Sequence, residues 1–134
     1  MREIKFRGNR VNNGKWVYGL PLYSVVGAKV IIDTIQSYED LRYYTVIPET
    51  VGQFTGLHDK NGKEIYEGDI CIVSLSYFKI KNEKATVIFH NGAFQFQYGC
   101  EKFFSKPHDA WDEVDVIGNV YTNPEMLKEV SHEA

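Results

Sequence analysis

Cysteine is scarce in this 134-residue chain, which holds only Cys71 and Cys100. Two widely separated thiols supply neither a disulfide framework nor a zinc-binding motif, so they read as reduced thiols of an intracellular protein. Long apolar runs are missing too: nothing approaches the roughly eighteen residues needed to span a bilayer. The N-terminus opens on a charged, strand-like segment and has no apolar signal-peptide core. The expectation is a soluble, cytoplasmic protein with no membrane role.

Nucleotide-binding and hydrolase signatures are also absent, since neither G-x-G-x-x-G, G-x-x-x-x-G-K-[ST] nor G-x-S-x-G occurs. The four histidines, His58, His90, His108 and His132, are too dispersed to pair as zinc ligands, and they read as ordinary loop residues. Cys100 stands beside Glu101, which disfavours its thiolate and any nucleophilic role. Acidic residues do cluster, as Glu64, Glu67 and Asp69 and again as Asp112, Glu113 and Asp115. Paired carboxylates suit acid–base or divalent-cation chemistry. However, Glu64 and Glu67 are an odd step apart and face opposite sides of a strand, so solvated surface is the reading taken. No cofactor and no metal is implied.

What the chain has in quantity is aromatic residues, at 14%, with nine Tyr, eight Phe and two Trp. Flat rings pack well on pleated strands. The charge is uneven. Residues 1–15 hold five basic residues against Glu3 alone, a net +4, so with −3 overall the rest of the chain carries −7. Such a dipolar distribution steers association without implying nucleic acid.

Period-two alternation dominates the first half. Arg2–Gly8 reads as a strand with Ile4 and Phe6 on the buried face and Glu3, Lys5 and Arg7 on the other. Asn12-Asn13-Gly14 supplies a tight turn into a second strand, Trp16–Tyr23, where Pro21 implies an edge position or a bulge. Gly27 marks a turn, strands follow at Lys29–Ile35 and Tyr43–Ile47, and residues 48–51 form one helical turn. The second half is punctuated by turn signals. Asn61-Gly62 joins Phe54–Leu57 to Glu64–Tyr66, Glu67-Gly68-Asp69 leads into Ile70–Leu75, and Lys81-Asn82-Glu83 separates that strand from Ala85–His90. Asn91-Gly92 then closes a hairpin onto Ala93–Tyr98. Val114–Tyr121 is the last strand, and Asn123-Pro124-Glu125 opens a short helix with Asn123 as N-cap.

The fold expected is mostly β: a small barrel-like or sandwich C-terminal half packed on an N-terminal antiparallel hairpin or sheet, with a short C-terminal helix. A chain of this length makes one domain, 1–134, with subdomains at 1–50 and 51–121 and a helix or tail at 122–134.

Three segments carry a family resemblance. They are Met1-Arg2-Glu3-Ile4-Lys5-Phe6-Arg7-Gly8 with Trp16-Val17-Tyr18-Gly19, the long run from Val51 through Gly56, Asn61, Gly62 and Gly68 to Asp69-Ile70, and Val116-Ile117-Gly118 through Leu127. Together they resemble the YopX family of phage and prophage proteins, with residues 24–47 and 76–112 outside the quoted match. The resemblance implies a mostly-β fold, phage or prophage origin and action inside a bacterial host. It carries over no activity and no catalytic residue.

Read physically, Gly56, Asn61, Gly62, Gly68 and Gly118 are turn, bulge or close-approach positions, and Asp69 accepts a backbone hydrogen bond at its bend. A motif of turn residues identifies a scaffold rather than a function. The candidate binding surface is Lys5, Arg7, Arg10 and Lys15 beside the rings of Trp16, Tyr18 and Tyr23. The structural alternative makes those rings core and those cations guards of an exposed edge strand. Three functions follow in order. The first is a non-enzymatic phage accessory protein binding an unidentified phage or host protein. The second is a small barrel binding nucleic acid through the basic strand, which the pI near 5.8 disfavours. The third is a small hydrolase or metal-dependent enzyme built on Glu67, Asp69, His58 or His90. Self-association through an aromatic strand edge is expected as well.

Overall fold

A computed structural model describes residues 3–23, 29–33, 42–75, 80–98, 103–105 and 113–128 of the protein. It divides into two compact units, Met1–Gly56 and Leu57–Ala134. Both are antiparallel β structures, in keeping with the mostly-β fold expected from the alternation.

In the first unit, β1 (Phe6–Asn9), β2 (Trp16–Tyr23), β3 (Lys29–Asp33) and β4 (Arg42–Val46) form an antiparallel meander. The β1–β2 turn is the expected one. Arg10 N–H donates to the Lys15 carbonyl at 2.8 Å, and Gly14 N–H returns a bond to the Arg10 carbonyl at 3.1 Å. A 3₁₀ turn at Pro48–Thr50 fills the place of the expected helical turn and leads into β5 (Gly52–His58).

The far edge of β1 is shared. Phe6 and Arg7 pair with Gln53 and Gly52 of β5, whereas Arg10 bridges to Val46 at the end of β4. Two hydrogen bonds flank the bridge, from Val11 N–H to the Thr45 carbonyl at 3.2 Å and from Ile47 N–H to the Asn9 carbonyl at 2.9 Å. The meander therefore curls until its first and last strands touch. Gly8 makes room for this approach, because a Cβ there would lie 3.0 Å from three atoms of the Val46 side chain.

One expectation for this half is corrected. The first strand begins at Phe6, and its buried residues are Arg7, Gly8 and Asn9, while Ile4 precedes the strand and is 56% exposed. Alternation assigned the faces wrongly because a ring from the next strand covers the arginine (below). Pro21 takes the edge position expected of it, although β2 as a whole lies between β1 and β3. Its missing N–H is tolerated because pairing to β1 ends at Phe6↔Gly19, so at Pro21 only β3 is a partner.

The second unit begins with a hairpin from the end of β5 into β6 (Glu64–Tyr66), turned at Asn61-Gly62 as expected. An open five-stranded sheet follows, with β7 (Asp69–Leu75), β8 (Ile80–His90), β9 (Ala93–Tyr98), β10 (Phe103–Ser105) and β11 (Glu113–Asn119) in the order β10-β9-β8-β7-β11. Register places Cys71, Ala85, Tyr98 and Val116 in one row and Val87 with Phe96 in another, all on one face. Ile65 and Leu57 of the hairpin pack on that face, so the core is a layer of two β elements rather than a closed barrel. Each fully buried side chain of this size contributes about 1.5–3 kcal/mol relative to exposure.

Local details depart from the sequence reading in three places. Lys81-Asn82-Glu83 does not separate strands but lies within β8. There Asn82 adopts φ 52°, donates its N–H to Ser74 Oγ at 3.0 Å, and the β7–β8 register shifts between Val73 and Leu75. A bulge absorbs what looks like a turn signal. The last strand ends at Asn119, whose Oδ1 accepts the N–H groups of Tyr121 and Thr122 and bends the chain out of the sheet. The short helix α1 (Glu125–Lys128) is present, but Asn123 does not cap it forwards. Its Oδ1 accepts from the Asn119 N–H behind it at 3.2 Å, while its carbonyl takes the Met126 N–H.

Candidate binding surface

The cations expected to form a basic strip are held in different ways. Lys5 Nζ lies 5.4 Å from the Phe54 ring centre and 3.5 Å from Glu3 Oε2. Arg7, only 6% exposed, stacks its guanidinium 4.6 Å from the Trp16 ring centre. Arg10 stacks 4.7 Å from Tyr44 on the other face of the sheet. Lys15 is exposed at the turn, where its N–H donates to Asn13 Oδ1 at 3.0 Å. Successive arginines alternate sides as strand geometry requires, so the strip is not a continuous track. The edge-guard alternative is also displaced, because β1 is an interior strand. The Tyr23 side chain lies outside the described residues.

A feature missed in the sequence is the outward face of β2. Tyr18, Leu20 and Leu22 alternate on that face at 42, 43 and 49% exposure. Register carries Leu20 through Ile32 to Tyr43 of β4, which is 62% exposed. Alternation locates this face correctly, but an apolar face is ordinarily read as core.

The turn motif holds structural chemistry. Gly68 adopts φ 93°, and a Cβ there would stand 2.8 Å from the Tyr121 ring, so both conformation and space demand glycine. Gly118 lies at the β11 bulge, where a Cβ would meet Asn123 Oδ1 at 2.7 Å and Met126 Sδ at 3.0 Å. Gly56 and Gly62 have positive φ in open space, and Asn61 is exposed at its turn. Asp69 accepts the Tyr66 N–H at 2.7 Å, as expected at that bend. It is 1% exposed, which corrects its assignment to solvated surface. Glu64 Oε1 accepts the Tyr66 hydroxyl at 2.9 Å.

Asp59 does more than its sequence context suggested. Its Oδ1 accepts the N–H groups of Asn61 and Lys63 at 2.8 and 2.9 Å, and its Oδ2 accepts Val116 N–H at 3.0 Å. One buried carboxylate thus closes the Asn61-Gly62 turn and ties it to β11. Burial raises its pKa, but the bonds from Val116, Lys63 and Asn61, with the Lys63 charge, outweigh that and leave it below the ordinary value of 3.8. The available signal was an aspartate two residues before Asn-Gly, an Asx-turn position.

Cys71 is fully buried, and its thiol is pushed far above the ordinary range by burial and then by the carboxylates of Asp69, Asp59 and Asp115. His58 and His90 end β5 and β8 and are exposed. Cys100, Asp112, His108 and His132 lie outside the described residues. Among the described residues, no three His, Cys, Asp or Glu side chains gather as a metal site, and no helix is long and apolar enough to cross a membrane.

The family model described as YopX protein matches residues 5–128. The chain belongs to the YopX family. No curated protein matches it. The crystal structure of protein EF1440 from Enterococcus faecalis is similar over 95% of this chain and 99% of its own, at 23% identity and a TM-score of 0.55. That likeness is one of fold. The YopX match takes in β1 and the turn residues Gly56, Asn61, Gly62, Gly68, Asp69 and Gly118, and it bridges the segments 24–47 and 76–112.

Proposed function

We propose that this YopX-family chain is a non-enzymatic binding module of phage or prophage origin that acts on a phage or host protein in the bacterial cytoplasm. The observation that carries the reading is the outward face of the first unit, Tyr18, Leu20, Leu22 and Tyr43, which leaves large apolar side chains in solvent. Large apolar side chains left exposed on one face of a sheet mark a surface used for association. The carboxylates of Asp59 and Asp69 accept backbone hydrogen bonds and the Cys71 thiol is buried and protonated, so these groups serve the fold. The basic first fifteen residues add charge that steers an acidic partner.

Affinity purification from prophage-induced bacterial cells tests the reading. A specific co-purifying protein is the expected result. Recovery of none, together with turnover in a screen of hydrolase substrates, would refute it.

A further inference from the structure

Where the β1–β2 turn meets β4, an open concavity of about 370 Å³ is lined by Arg10, Val11, Asn12, Tyr43, Tyr44 and Thr45. Among the described residues that line it, Arg10 is the one cation. The guanidinium stacks on Tyr44, and its Nε is sealed from solvent yet makes no hydrogen bond. Among the described residues no carboxylate pairs with it. A desolvated donor without an acceptor is costly, and a charged one more so. The stack and the Arg10–Val46 bridge hold this arginine in place beside the hollow. A guanidinium so fixed presents a planar fork matched to a carboxylate.

The adjoining backbone selects the form of the ligand. Among the described residues, the outer edge of β4 is bonded to the turn only at its end, where the Thr45 carbonyl accepts the Val11 N–H. Antiparallel alternation aims the N–H and C=O of Tyr43 the same way, and among the described residues no strand pairs there. An extended peptide added at that edge gains main-chain hydrogen bonds. Its residue opposite Tyr44 faces the same side of the sheet as Tyr44 and Arg10. We propose that this hollow binds an extended acidic segment of a protein partner, with one carboxylate on Arg10 and the backbone beside Tyr43.

Nucleic acid fits less well. A strand tracks several phosphates at once, whereas Arg7 is buried against Trp16 and Lys5 is paired with Glu3. The inference rests on the binding-module reading and sharpens it by naming the partner's chemistry.

The experiment titrates the intact protein with a short labelled peptide of alternating Glu and Val, a Lys–Val counterpart, and single-stranded oligothymidylate, while following the Arg10 Nε–H resonance. The Glu–Val peptide is expected to bind and shift that resonance. Arg10→Gln is expected to weaken binding by about tenfold, and Tyr43→Pro, which removes the edge N–H, is the second variant. Absence of binding, an unchanged affinity in Arg10→Gln, or equal binding of the Lys–Val peptide or oligothymidylate would overturn the site. The two readings fail separately. A partner captured from cells and retained by Arg10→Gln removes this site and leaves the module, whereas no captured partner together with hydrolase turnover removes the module whatever the peptide does.

Discussion

Asp59 shows how much one side chain can organise. Both oxygens accept backbone N–H groups from two elements, and an amide cannot do the same because its nitrogen would face the Val116 or the turn donors. Asp59→Asn is expected to lower stability by about 1–3 kcal/mol, read by urea unfolding at neutral pH. The pH dependence follows from the direction of the shift. The folded pKa lies below 3.8, so the ionised form's stabilisation is complete above that value and is lost as pH falls through the folded pKa. In Asp59→Asn this part of the acid limb should flatten. Cys71 gives a second check at the same scale. Its buried, protonated thiol should resist a thiol reagent at pH 8 in the folded Cys100→Ser protein and react on denaturation. Rapid labelling of the folded protein would contradict the packing described.

Among the elements, hairpins were the most legible. Asn12-Asn13-Gly14, Asn61-Gly62 and Asn91-Gly92 each announce a reversal through residues that tolerate positive φ, and each is found. Lys81-Asn82-Glu83 misled for the same reason, since Asn82 adopts φ 52° to serve a bulge inside β8 rather than a turn. The faces of β1 were illegible because the Arg7–Trp16 stack buries a charge where alternation expects exposure. Nor does alternation reveal that β1 divides its edge between β5 and β4, because that pairing depends on the curl of four strands. Gly8 carries the curl. Gly8→Val is expected to cost about 1–3 kcal/mol by overpacking against Val46, with partial recovery in the double variant carrying Val46→Ala. A neutral Gly8→Val would mean that the first and last strands of the meander do not meet as described.

At the scale of the molecule, the scaffold was readable and the site was only partly so. The turn residues within the YopX match serve through their φ, close approach or hydrogen bonds to build the scaffold, so recognising them says little about activity. Arg10 was legible as a cation. Its hollow, its stack on Tyr44 and its neighbour Tyr43 were not, because they join segments more than thirty residues apart. The outward face of β2 went unnoticed for a simpler reason: apolar residues such as Leu20 and Leu22 look like core until the fold leaves them in water.

The proposed working surface is this exposed face of the first unit. The most direct test is quantitative capture from prophage-induced cells by the wild-type chain and by a Leu20→Ser, Tyr43→Ser variant. Exposed substitutions of this kind change stability by within about 0.5 kcal/mol, so the variant should melt with the wild type. The folded variant is expected to lose the partner that the wild type retains. Equal capture by both would contradict the proposal.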